Sequence, residues 1–203
     1  LMATPSAFDG AQLMAWARRA AGELNRRRME INKLNVFPVP DADTGSNMAH
    51  TMAAAVEEAE QLGSDADVRQ VAEALAVGAV KGARGNSGVV LSQVMRGIAQ
   101  TVSEDTPGGA VIADSLAAAV TFVDRAIADP VEGTVITVLR AASVAAAEAV
   151  ASAADPANPG IDEVAQAVAE AARVALANTP SQLEVLREAG VVDAGGTGLV
   201  VLL

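Results

Sequence analysis

Asp41 and Asp43 stand two residues apart in the run LNVFPVPDADTGSNM, Leu34 to Met48, a Pro- and Gly-punctuated loop that leads into a helix. Two carboxylates at that spacing repel each other unless a cation sits between them. A hard divalent ion suits them, because Mg²⁺ takes oxygen ligands and is commonly held by one or two carboxylates plus a nucleotide's phosphates. The helix is expected to begin near Gly45, so its free N–H groups and positive dipole end face the same place. A structural reading competes: Asp and Thr before a helix are ordinary N-caps, and Pro-Asp is ordinary turn chemistry. An EF-hand is excluded, since the glycine falls one position too early and Met52 stands where the twelfth-position Glu is required.

Three further loops carry similar chemistry. GARGNSG, Gly82 to Gly88, puts Asn86 and Ser87 at a helix start, where glycines admit close approach of a phosphate and the helix end favours an anion. The same residues read equally as a C-cap glycine followed by a Ser N-cap. The loop is neither a Walker A motif, which needs Gly-Lys-Ser/Thr, nor a dinucleotide fingerprint, which needs a preceding strand. VVDAGGTG offers Asp193 beside a Gly-rich helix start, and PVEGT offers Glu132 and Thr134. Each is weak alone, and each has a capping alternative. Arg26, Arg27 and Arg28 read as a solvated helix face. His50 is expected at the surface or behind the acidic pair, and Trp16 and the methionines in the core.

The elements that must position these loops are helices. The chain has 203 residues, enough for one domain with a real core. Half its residues are apolar, but alanine dominates, aromatics are 2% and Tyr is absent. That composition favours close-packed helices over strands. Apolar residues recur at helical spacing from Leu13 to Ile31, with Ser6 and Asp9 as candidate caps. Further helices are expected over about 45–62, 67–81, from near Ser87 with Leu91 to Val102 on one face, 109–128, 134–154 and 161–177. A short helix should open at Thr179-Pro180, and a last one near Gly196. The result is an all-α, antiparallel up-and-down bundle or barrel of about eight helices, each very roughly 25 to 30 Å long.

In such an array alternate connections share an end. The bland connections at 63–66, 103–108 and 155–160 belong to one end. The Gly- and Asp-bearing loops at 35–45, 82–88, 130–134 and 191–198 belong to the other. Four helix N-termini converging there, with Asp41, Asp43 and Asp193 among them, describe a pocket for a Mg²⁺-chelated polyphosphate.

Charge and composition exclude other classes. A formal net charge of −11 argues against a nucleic-acid backbone as partner. The absence of cysteine removes disulfides, thiol nucleophiles and thiolate metal sites, and one histidine cannot build a His-rich cluster. No apolar run reaches transmembrane length and no signal-peptide core is visible, so a cytoplasmic protein is expected. The ending GTGLVVLL reads as the first turns of an apolar helix. We therefore expect the 203 residues to be one domain of a longer multidomain protein, or to precede a disordered remainder.

At these loops the chain resembles a known family. NVFPVPDADTGSNM, GARGNSGVVLSQ, PVEGTVITVLR and VVDAGGTGL are similar to the motifs of the DhaL-type nucleotide-binding domain of the dihydroxyacetone kinase superfamily. Within it they look like the N-terminal domain of the kinase subunit of bacterial fatty-acid kinase, over essentially residues 1–203. The resemblance implies an antiparallel helical barrel with ADP or ATP at one end, held through two Mg²⁺ ions. Two of the three metal-binding aspartates of the dihydroxyacetone branch match Asp41 and Asp43, which the resemblance makes the catalytic pair. The first matches best to Asn35, a departure: Asn can ligate Mg²⁺ but adds no charge. Implied nucleotide contacts are Thr44, Gly45, Ser46, Asn47, Asn86, Ser87, Thr134, Asp193, Ala194 and Gly195. The branch's arginine ahead of the last motif has no match, since Arg187 is out of register.

The implied activity is phosphoryl transfer from ATP to a fatty acid carboxylate, giving an acyl phosphate. The implied partner is a fatty-acid-binding protein of the DegV family, docked through domains beyond this one, and a homodimer is compatible with the resemblance. An isolated domain would bind nucleotide yet be inactive. Three alternatives compete. Against a dihydroxyacetone kinase subunit stand VFPVP and Asn35. Against a nucleotide sensor without transferase activity stands retention of both aspartates. Against an inert bundle stands the gathering of unusual loops at one end.

Overall fold

The computed structural model describes residues 8–203, so the candidate cap Ser6 lies outside the described residues. These residues form helices joined by short loops, with no strand among them. The helices are α1 (Gly10–Lys33), α2 (Thr44–Glu60), α3 (Val68–Gly82), α4 (Gly85–Thr101), α5 (Gly108–Ala126), α6 (Val135–Ala151) and α7 (Ile161–Ala177), then two short ones, α8 (Thr179–Gln182) and α9 (Glu184–Ala189), and finally α10 (Ala194–Leu202). Each of α1 to α7 packs on the next, as short loops between long helices require. The up-and-down all-α architecture expected from the sequence is the one observed.

α10 differs from the others. Every residue from Ala194 to Leu199 is buried, and the helix packs on α1, α2, α6 and α7, closing the array between its first and last long staves. A helix apolar all round must be surrounded by protein. Its approach is close: a Cβ at Gly198 would strike the Met48 thioether of α2. The Trp16 indole N–H donates to the Leu202 carbonyl at 3.0 Å and ties the end of α10 to α1. Trp16 is thus a half-buried strut rather than a core residue. Met14, Met48, Met52 and Met95 are buried, Met29 is exposed, contrary to expectation, and Met2 lies outside the described residues.

The two ends of the array are finished differently. At the end holding the N-termini of α1, α3, α5 and α7, Asp9 with Gln12 and Asp67 with Gln70 form reciprocal capping boxes. The Gly160 N–H there donates to the Glu163 carboxylate at 3.3 Å. The Gly109 N–H donates to the Pro159 carbonyl at 3.2 Å, joining the 103–108 and 155–160 loops. At the other end α4 and α6 take no hydrogen bond from the side chain of their capping residue. Two helix starts fall earlier than the sequence suggested: α4 begins at Gly85, not Ser87, and α10 at Ala194, not Gly196.

Candidate functional site

The end that holds the starts of α2, α4, α6 and α10 encloses a cavity of about 320 Å³. Its polar lining comes from Asn35, Asp41, Asp43, Thr44 and Asn47 around the start of α2, from Asn86 and Ser87 at the start of α4, and from Thr134 and Asp193 at the starts of α6 and α10. Gly195 lies on the same wall. No residue of 63–66, 103–108 or 155–160 lines it. Nine of the residues singled out as metal or nucleotide contacts, spread from position 41 to 195, therefore share one space, joined by Asn35.

Three of the singled-out residues face elsewhere. Gly45 and Ser46 turn to α1: a Cβ at Gly45 would strike the Arg28 carbonyl, and Ser46 exchanges hydrogen bonds with Asn32, its N–H donating to Oδ1 and its Oγ accepting from Nδ2, both at 3.0 Å. Ala194 is buried outside the lining. Glu132 also points away, to Arg140 at 2.9 Å and to the Thr137 hydroxyl at 2.8 Å. Arg187 sits near its own neighbour Glu184 on α9. Arg26, Arg27 and Arg28 hydrogen-bond Glu23, Glu30 and Asn25 on the exposed face of α1, as a solvated charge run does. His50 is exposed.

The acidic loop is held by Asn35, just past the end of α1. The buried Asn35 side chain accepts the N–H groups of Asp43 and Thr44, both at 3.1 Å, and donates to the carbonyls of Phe37 and Val39 at 3.4 and 3.1 Å. One side chain thus fixes both halves of the loop and caps α2 in place of Asp43, whose own side chain makes no cap bond. Between the aspartates Ala42 has φ +57, a left-handed conformation that L-residues other than Gly, Asn and Asp seldom adopt. Strain of this kind persists where surrounding contacts over-determine it.

The two aspartates are close enough to disturb each other. Asp43 has its pKa raised, first by the hydrogen-bonding proximity of the Asp41 carboxyl, then by desolvation and by the Asp41 charge. Two carboxylates this close fit a hard cation, whose charge would offset their mutual repulsion. Among the described residues no third His, Cys, Asp or Glu joins them to form a metal cluster. An ion there would complete its shell with phosphate oxygens and water, the usual habit of Mg²⁺.

Asp193 has a different environment. It is 5% exposed, and its carboxylate accepts the Gly196 N–H at 2.7 Å and bonds the backbone of Val135. It therefore stitches the starts of α6 and α10 together. Burial pushes its pKa up to about 6, against the lowering effect of those two hydrogen bonds. The Thr179 hydroxyl oxygen accepts the Asp193 N–H at 3.1 Å, which links the short α8 to the site.

Sequence reasoning missed the apolar lining. Val90, Ile127, Val131, Val135 and Ile136 form one part, and Phe37, Pro38 and Val39 another. The first set repeats at helical spacing or flanks a loop and reads as ordinary core. Asp129 was also missed. Asn32 was not singled out, and Asn35 was expected only as a possible metal ligand, not as the residue that holds the acidic loop.

An all-α array with helix N-termini and an acidic pair around one cavity has the donors and carboxylates that a Mg²⁺-chelated phosphate group requires. Comparison with known proteins agrees. The model of the DAK2 domain matches residues 38–203, and the chain belongs to that family, dihydroxyacetone-kinase-type modules that bind nucleotide. Protein YloV of Bacillus subtilis is 39% identical over 194 residues, which is 95% of this chain and 34% of the relative. An uncharacterized protein of Staphylococcus saprophyticus is 38% identical over 97% of this chain and 35% of its own length. One from Staphylococcus epidermidis is 40% identical over 90% and 32%. The chain spans about a third of the length of these relatives. No helix among the described residues is long and apolar enough to cross a membrane.

Proposed function

We propose that the chain is the ATP- and Mg²⁺-binding domain of a kinase that phosphorylates a fatty acid carboxylate, presented by a separate lipid-binding protein of the DegV family. The observation that carries the reading is the meeting of Asp41 and Asp43 with the side-chain-uncapped start of α4 in one cavity. The buried apolar floor of Val90, Val135 and Ile136 suits a nucleobase. The first N–H groups of α4, with Asn86 and Ser87, suit the phosphates. Thr134, Asn47 and Gly195 complete the wall, whereas Gly45, Ser46 and Ala194 support it from behind.

Asp41 and Asp43 would hold Mg²⁺, which supplies neutralisation of the phosphate charge that develops during transfer. Asn35 is assigned as the residue that positions this pair rather than as a ligand, because its oxygen already receives two N–H groups. A carboxylate is a nucleophile at neutral pH. Its oxygen forms the new bond to the γ-phosphorus while the bond from that phosphorus to the β–γ bridging oxygen breaks, and ADP leaves. No proton moves, so this acceptor requires no general base among the lining residues. Fatty-acid specificity, the DegV-type partner and a homodimer go beyond what family membership carries.

The test is calorimetric titration with ATP, with and without Mg²⁺. Asp41→Ala and Asp43→Ala should each abolish Mg²⁺-dependent ATP binding while the helical circular dichroism is kept. Unchanged nucleotide affinity in both variants would remove the metal assignment.

A further inference from the structure

Three acids lie along residues 124–132, where α5 gives way to α6, and two of them are engaged. Arg140 takes up both Asp124 and Glu132 at 2.9 Å. Asp129 makes no hydrogen bond and no ion pair with any described residue. It nevertheless lines the cavity, as do Ile127 and Val131 on either side of it. Its segment is held at both ends. The Ile127 N–H donates to the Val123 carbonyl at 2.9 Å, and the Thr134 hydroxyl donates to the Val131 carbonyl at 2.6 Å. Pro130 follows Asp129 and restricts its backbone towards extended conformations. Asp129 is thus an exposed, unpartnered carboxylate at a fixed place on the cavity rim.

Two parts of a Mg²⁺-chelated nucleotide do not suit this group. It does not join Asp41 and Asp43 as a third carboxylate able to hold one ion. It would repel phosphates, which the first N–H groups of α4 attract. The neutral nucleoside is left. Its base is apolar on both faces and suits the buried floor of Val90, Val135 and Ile136. Its ribose carries two adjacent hydroxyl donors, and an ionised carboxylate is an acceptor with two oxygens to receive them. Ile127 and Val131 are half-buried and would shield those bonds from water. We infer that Asp129 accepts hydrogen bonds from the ribose 2′- and 3′-hydroxyls and so selects ribonucleotides over deoxynucleotides. The inference rests on the reading of the cavity as a nucleotide site whose phosphate end is at Asp41, Asp43 and the start of α4.

The test compares ADP with 2′,3′-dideoxy-ADP, which keeps the base and both phosphates, by calorimetric titration in Mg²⁺. Wild type should bind ADP roughly tenfold more tightly, the worth of charge-assisted hydrogen bonds at a partly wet site. Asp129→Ala should remove that preference. Loss of the charge also relieves repulsion of the phosphates, but this acts on both ligands alike and cancels in the ratio of their affinities. Asp129→Asn, which keeps one acceptor oxygen, should give an intermediate ratio. Val144→Ser, an exposed change on the side of α6, should keep the wild-type ratio. Equal binding of the two ligands by wild type, or a preference that survives Asp129→Ala, would overturn the assignment and leave the nucleotide site standing. Equal loss of both ligands in Asp129→Ala would also overturn it, by placing Asp129 at the base, the phosphates or the metal. Failure of wild type to bind either ligand in Mg²⁺ would defeat the nucleotide reading together with this one.

Discussion

Two aspartates of the site titrate abnormally for different reasons. Asp43 is raised mainly by its neighbour Asp41, and Asp193 mainly by burial. The second case carries a stability prediction. A carboxyl whose folded pKa is about 6 and whose unfolded pKa is about 3.9 holds its proton more tightly in the native state. Below about pH 4 both states are protonated and its contribution is complete. Between about pH 4 and 6 the unfolded chain has released the proton and the native chain has not, so stability falls as pH rises. Above about 6 the loss levels off at about 3 kcal/mol, from a shift of roughly two pK units. Asp193→Asn keeps an oxygen for the Gly196 N–H and removes the titration. Urea unfolding of both proteins from pH 4 to 7 should show wild type losing about 3 kcal/mol relative to the variant across that window. The comparison cancels the contribution of Asp43, which both proteins share. A difference that stays flat with pH would mean that Asp193 is not buried as a proton-holding group.

At the scale of helices, the two ends of the array explain what was legible in advance. Asp9 with Gln12 and Asp67 with Gln70 are local signals, three residues apart; Asp9 was one of two caps expected for α1, and α3 was expected from about Asp67, its observed N-cap. The cavity end is finished by long-range partners. α2 is capped by Asn32 and Asn35 from the end of α1, and the start of α6 is bonded by Asp193 from 58 positions later in the chain, counted from Val135. Such pairings have no signature in a local window. The segregation of loops was visible from helix order alone, whereas the floor of Val90, Val135 and Ile136 was hidden because its spacing is that of any core face. Ser87 shows the cost of local reasoning: it reads as an N-cap, but α4 has already begun at Gly85 and takes no side-chain cap. Ser87→Ala should therefore change stability by less than about 0.5 kcal/mol, where a true cap would lose about 1. If Ser87 meets phosphate, ATP affinity should fall several-fold in the same folded protein. A loss of 1 kcal/mol or more in the denaturation midpoint, with ATP affinity unchanged, would restore the cap reading.

For the molecule as a whole, the cavity draws on the α1–α2 loop, α4, the α5–α6 loop and α10, so a bound nucleotide would touch segments from both ends of the chain. α10 closes the barrel by packing on α1, α2, α6 and α7. A ligand that bridges its start to those of α2, α4 and α6 should therefore strengthen closure rather than one helix. Binding to the native state alone adds about 2.7 kcal/mol at a ligand concentration one hundred times Kd. For a domain of this size that corresponds to a rise in Tm of roughly 5 to 10 °C. The rise should require Mg²⁺ and vanish on chelation, because Asp41 and Asp43 would otherwise face the phosphates with their charge uncompensated. Hydrogen exchange should place the new protection at the first turns of α2, α4, α6 and α10. The 63–66, 103–108 and 155–160 loops, which share none of the cavity lining, should exchange as before. Protection that appears at those loops instead, or a Tm indifferent to Mg²⁺, would mean that the nucleotide does not bind between the four helix starts.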